Sequence, residues 1–191
     1  MSPYPFITVV SGLPRSGTSM VMQMVHAGGL PALVDGIRAA DDDNPRGYLE
    51  FERVKALRTD QAWLDDAVGK VVKVIHLLLP ELPAERDYRV LFLDRDLDEV
   101  LESQRKMLVR LGKPGGALPP ERLKAVFTTQ LKAVAAAMAG RPRTQLLHLP
   151  YQDVVGDPAQ AAARINQFLG GGLDEAAMGA AVDPNLYRNR R

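Results

Sequence analysis

Short apolar runs alternate with longer amphipathic stretches along this chain. FITVV, Phe6 to Val10, is five residues long, β-branched and stopped by Ser-Gly, which predicts a buried strand. Lys70 to Leu77, Tyr88 to Leu93 and Gln145 to Leu149 have the same character, and Leu30 to Val34 predicts a further short strand. Helical spacing fills the intervals. Gly17 to Ala27 places Met20, Val21 and Met24 on one face and ends at Gly28-Gly29. Phe51 to Asp66 does so with Val54, Leu57 and Leu64, and Leu97 to Leu111 with Val100, Leu101, Met107 and Leu108. Pro120 to Met138 is an Ala-rich helix; another starts at Pro158, capped by Asp157, and closes near Leu169 at three glycines. Asp174 to Ala181 is a short last helix, and Asp35 to Tyr48 and Lys113 to Pro120 are loops. Strands alternating with helices, with few hairpin signals, predict an α/β fold: a mostly parallel sheet covered by helices on both faces. Ligands of such sheets bind beyond the carboxyl ends of the strands, where Ser11, Asp35, Leu77 and Arg95 should gather.

Composition narrows the choices. A chain of 191 residues, 46% hydrophobic and 25% charged, suits one compact domain spanning residues 1–191. A net charge of +1 gives no global pull toward nucleic acid or anionic membranes, so an anion must be held by local geometry. Absence of cysteine excludes disulfides, thiolate metal sites and a cysteine nucleophile. The first residues, MSPYPFITVV, lack the basic region of a signal peptide, and no apolar run approaches the roughly 20 residues of a spanning helix. A cytoplasmic location is the expectation.

The candidate chemistry begins at SGLPRSGTS, Ser11 to Ser19. A strand leading through two spaced glycines into a helix points backbone N–H groups and the helix dipole at one spot. Ser16, Thr18 and Ser19 can add hydroxyl donors. The spacing of Gly12 and Gly17 is that of the nucleotide-binding P-loop, but Thr18 stands where that loop has its lysine, and Arg15 supplies a cation inside it. Asp94 is the best candidate for an acidic Mg²⁺ partner and is followed directly by Arg95. A loop of this composition suits a single terminal phosphate better than a Mg²⁺-bound triphosphate.

GLPRSGTS resembles the 5′-phosphosulfate loop of sulfotransferases, P-[KR]-[SG]-G-T-[ST] in that family. LFLDRDLDEVLESQ resembles the 3′-phosphate motif, R-[DN]-P-x-[DE]-x-x-x-S: Arg95, Glu99 and Ser103 match in type and spacing, and Leu97 replaces the proline. YQDVVGDPAQAAARINQFLG is similar to the family's Y-E-D-L-x-x-D-P segment, which puts Tyr151 and Asp153 behind the site. The resemblance implies a P-loop-type three-layer fold and an enzyme that uses 3′-phosphoadenosine 5′-phosphosulfate (PAPS). Pro14, Arg15, Ser16, Gly17, Thr18 and Ser19 would hold the 5′-phosphosulfate, Arg95 and Ser103 the 3′-phosphate. Arg15 would assist departure of the 5′-phosphate. No metal is required. A basic C-terminal segment contacts the 3′-phosphate in many members, which makes Arg188 a candidate here.

A hydroxyl or amine acceptor benefits from a base within hydrogen-bond reach. His76, in HLLLPELP, resembles the histidine segment of cytosolic sulfotransferases, although Lys73 is one residue farther away than in that pattern. Asp35 lies where arginine-loop sulfotransferases often carry a catalytic carboxylate, and Glu50, in NPRGYLE, is the third candidate. His26 and His148 have no assigned role. The acceptor is unidentified; an open cleft between the Asp35–Glu50 and Lys113–Pro120 loops would admit a large or carrier-bound one. Two other functions share these features: a P-loop nucleotide or small-molecule kinase using ATP–Mg²⁺, and a non-catalytic nucleotide-binding relic.

Overall fold

The computed structural model describes residues 4–37, 47–110, 112 and 118–183. Its centre is a four-stranded, all-parallel sheet of β1 (Ile7–Gly12), β2 (Val71–Lys73), β3 (Tyr88–Asp94) and β4 (Thr144–Pro150), in the order β2-β1-β3-β4. Thr8 pairs with Val71, Gly12 with Leu93, and Asp94 with Pro150, so the carboxyl ends of β1, β3 and β4 lie side by side.

The strand sequences explain the layers, because successive side chains point to opposite faces. Val10, Leu91 and Leu93 pack on one side against α1 (Thr18–Ala27), α6 (Pro158–Leu169) and α7 (Glu175–Ala180), with Met22, Met24, Ile165 and Met178 in that core. Ile7, Val9, Val90 and Phe92 point the other way, into a core with Trp63, Leu64, Val134 and Met138. That second core is covered by α2 (Leu64–Ala67) and α4 (Pro120–Met138). Between β3 and α4 runs α3 (Leu97–Arg110), and β4 leads directly into α5 (Tyr151–Gly156). Asp157 caps α6 as its sequence predicts, its carboxylate accepting from the Gln160 N–H at 2.9 Å.

Three predicted elements differ. Leu30 to Val34 makes only a single bridge, Ala32 to Val71, at the outer edge of β2, where Pro31 has no N–H to pair. Strand β2 ends at Lys73, and the rest of the predicted Lys70–Leu77 strand becomes the entry to a 3₁₀ helix, His76–Glu81, containing Pro80. The predicted helix Phe51–Asp66 splits into a 3₁₀ helix, Glu52–Ala56, and α2. Asp60 breaks it: its carboxylate holds Arg53 and accepts from the Ala62 N–H, while its carbonyl accepts from the Trp63 indole at 3.1 Å. Among the described residues, no helix is long and apolar enough to cross a membrane.

Candidate functional site

The loop after β1 is built around two glycines that admit no side chain. At Gly12 a Cβ would lie 2.5 Å from Ser16 Oγ and 2.9 Å from the Leu93 carbonyl oxygen. Gly17 has φ 101°, stands immediately before α1, and a Cβ there would lie 2.7 Å from the Tyr151 ring. The loop crest carries Arg15 in a left-handed conformation, φ 70°. Ser16 Oγ is buried without a hydrogen-bond partner among the described residues.

Residues far apart in sequence meet at this loop. Arg15 Nε donates to Ser103 Oγ at 3.1 Å, and Arg95 Nη1 donates to the Arg15 carbonyl at 2.9 Å. Arg95 emerges from the end of β3. Its Nε donates to Glu99 Oε2 at 3.0 Å, in a pair whose side chains are 6% and 2% exposed. Its guanidinium lies 4.0 Å from the centre of the Tyr151 ring, a cation–π stack. Gln152 reaches Glu99 Oε1 at 3.4 Å. The first two residues of α5 thus hold Arg95, one directly and one through Glu99. Tyr151 is part of the site wall, and the helix that brings it there falls on a segment whose sequence signal is weak.

The loop floors a cleft of about 690 Å³. Pro14, Arg15, Gly17, Thr18, Ser19, Arg95 and Ser103 all line it, while Ser16 lies buried behind. Its other end is formed by Gln23, Tyr48, Glu50 and Lys73. Lys73 is 12% exposed; its ammonium donates to Ser19 Oγ at 3.0 Å and to the Tyr48 carbonyl, and stands 3.5 Å from Glu50 Oε1. Sequence reasoning did not place Lys73 in the site. The signal was a lone charge breaking an apolar strand at its carboxyl end.

The three candidate bases separate. Glu50 lines the cleft beside Lys73. Asp35 does not: its carboxylate accepts the Ile37 N–H at 3.1 Å and the Glu52 N–H at 2.5 Å, holding the start of the Glu52–Ala56 turn. His76 is 1% exposed, with Nε2 3.0 Å from Gln130 Oε1 on α4, and it is not among the cleft-lining residues. Burial lowers its pKa below the ordinary imidazole range, opposed by the contacts to Gln130 and the Gly12 backbone. Asp94 pairs with His148 Nδ1 at 2.7 Å and does not line the cleft. His26 Nδ1 lies 3.3 Å from the Leu30 carbonyl. Arg188 and most of the Lys113–Pro120 loop lie outside the described residues.

The donor set fits a multiply charged anion. Among the described residues, six cations line the cleft, Arg15, Lys73, Arg95, Arg105, Lys106 and Arg110, against the carboxylates of Glu50 and Asp183. A three-dimensional match is found with a sulfotransferase from Alicyclobacillus acidocaldarius, at TM-score 0.54 and 14% identity over 95% of this chain and 87% of that one. The fold is shared with sulfotransferases. A sulfotransferase from Mycobacterium tuberculosis H37Rv matches at TM-score 0.58 and 16% identity, over 93% of this chain and 71% of that one. Retinol dehydratase, solved with androsterone and the inactive cofactor PAP, matches at TM-score 0.54 and 19% identity, over 95% and 64%. No protein-family model and no curated protein matches the sequence.

Proposed function

We propose that the chain is a sulfotransferase that moves a sulfuryl group from PAPS to a hydroxyl or amine of an acceptor. The observation that carries this reading is the contact of two motifs 80 and more residues apart: Arg15 on Ser103 and Arg95 on the Arg15 carbonyl. A loop with one cation for a 5′-phosphosulfate and a neighbouring arginine–serine pair for a 3′-phosphate together match a nucleotide with phosphates on both sides of one ribose. When bound, that nucleotide supplies an activated sulfuryl group on a phosphate leaving group.

The chain's own groups divide the remaining work. Backbone N–H groups at the start of α1 and the hydroxyls of Thr18 and Ser19 bind the 5′ end. Arg15 places positive charge where the leaving oxygen becomes anionic. Lys73, anchored on Ser19 and the Tyr48 carbonyl, adds a cation at the opposite end of the loop. Glu50 is the carboxylate positioned to accept the acceptor's proton. No step in this scheme draws on a metal ion. On this reading the acceptor, which could be large or carrier-bound, enters from the Tyr48–Glu50 side.

The test is transfer of labelled sulfate from PAPS to a panel of alcohols and amines, by wild type and Arg15→Ala. Acceptor-dependent transfer that falls at least about a hundredfold in the variant supports the reading. Transfer unchanged by Arg15→Ala contradicts the role given to that residue, and the absence of transfer to every acceptor favours a nucleotide-binding protein without turnover.

A further inference from the structure

The motif arginine is poorly supplied with charge for a dianion. The Arg95 side chain is 6% exposed, its Nε donates to the buried Glu99 carboxylate, and one face is covered by Tyr151. The adjacent carboxylate offsets the guanidinium's charge, so this pair adds little net positive potential at Ser103 to that of Arg15, whose Nε donates to Ser103 Oγ at 3.1 Å and whose charge is shared with the 5′ end.

Helix α3 provides it from another direction. Residues three, four and seven positions apart share a helix face, and Ser103, Lys106, Met107 and Arg110 all line the cleft. Arg110 is two turns from Ser103, roughly 10 Å along the axis. Long side chains on a helix lean toward its N-terminus, so both Lys106 and Arg110 are biased back toward Ser103. Lys106 stands 3.6 Å from Glu102, with the two side chains 44% and 40% exposed. Such exposed pairs are weak and yield to a better anion. Arg105 is bound to the same Glu102 at 2.8 Å, which leaves that carboxylate shared between two cations.

We propose that Lys106 and Arg110 are phosphate-binding residues of this chain, forming the outer half of the subsite whose inner end is Ser103 and taking the nucleotide's 3′-phosphate. This rests on the sulfotransferase reading. Neither residue belongs to the R-x₇-S motif. They replace, on the exposed side, the charge that Glu99 offsets at Arg95.

The experiment is calorimetric binding of adenosine 3′,5′-bisphosphate and of adenosine 5′-monophosphate, without metal, to wild type, Lys106→Ala, Arg110→Ala and the double variant. Both residues are exposed, and thermal unfolding should match wild type. Each single change should weaken the bisphosphate about three- to tenfold and the monophosphate less than about twofold. The bisphosphate's salt sensitivity should fall in step. Lys106→Arg should retain affinity. Unchanged bisphosphate binding in the double variant, or equal loss for both ligands, overturns the proposal while leaving the sulfotransferase reading standing. A wild type that does not prefer the bisphosphate overturns both.

Discussion

Gly17 is the position at which one added carbon should disturb both phosphate subsites together. In Gly17→Ala the new Cβ meets two strains. The residue sits at φ 101°, where an L side chain costs about 1–2 kcal/mol. The Cβ also lies 2.7 and 2.8 Å from two Tyr151 ring carbons, so the ring must retreat by several tenths of an ångström. Tyr151 is 6% exposed and stacked on Arg95 at 4.0 Å, which leaves it little freedom. Overpacking of this kind costs about 1–3 kcal/mol, which gives roughly 2–5 kcal/mol in all. Denaturant unfolding of wild type, Gly17→Ala, Tyr151→Ala and the double variant separates the contributions. The clash should vanish when the ring is gone, so Gly17→Ala should cost only about 1–2 kcal/mol in the Tyr151→Ala background. Bisphosphate affinity should drop at least about tenfold in Gly17→Ala, since Arg95 moves with the ring. A stability change below about 0.5 kcal/mol, or the same change in both backgrounds, would refute the wedge between loop and ring.

Other consequences follow from the three carboxylate and imidazole candidates. Glu50→Gln should lower the transfer rate by about 10²- to 10⁴-fold while leaving bisphosphate affinity within about threefold, as isotherms and initial rates will show. Asp35→Ala should leave the rate per folded molecule intact but lower stability by about 1 kcal/mol per lost hydrogen bond, read from denaturant midpoints. His76 is held neutral by burial, so its folded pKa is depressed and the unfolded chain binds the proton more readily. Its contribution to stability is present above its ordinary value near 6.5 and is lost as pH falls below it. The melting temperature of wild type should fall from pH 7 to pH 5 more steeply than that of His76→Gln; parallel curves would remove His76 from the pH response.

How much of this could be read from the chain depends on how local each feature is. The runs that became β1 and β3 are buried along most of their length, and β4 turns Leu146, Leu147 and Leu149 toward the two cores, so their apolar character marks them. The edge strand β2 was overextended because Val74 and the residues after it keep the same apolar pattern while Pro80 and the 3₁₀ turn redirect the backbone. Phe51 to Asp66 kept helical spacing, yet Asp60 satisfied its neighbours' hydrogen-bonding groups in a turn instead. The phosphate loop is a contiguous segment, and Arg95 and Ser103 are eight positions apart, so residue types and spacing expose them. The part of the cleft lined by Gln23, Tyr48, Glu50 and Lys73 is assembled from three segments, and only Tyr48 and Glu50 are neighbours in the chain. Nothing in the spacing says that Gln23 and Lys73 meet them. Asp35 and His76, selected by position after strand-like runs, are occupied with a turn and with Gln130.

The central claim is that this cleft recognises a ribonucleotide with phosphates at both the 3′ and 5′ positions. Titration of wild type and Arg95→Ala with adenosine 3′,5′-bisphosphate and with ATP–Mg²⁺ tests it most directly. Bisphosphate should bind without metal and weaken at least about tenfold in the variant, with ATP–Mg²⁺ the poorer ligand for wild type. Tighter binding of ATP–Mg²⁺, or bisphosphate binding unaffected by Arg95→Ala, would contradict it.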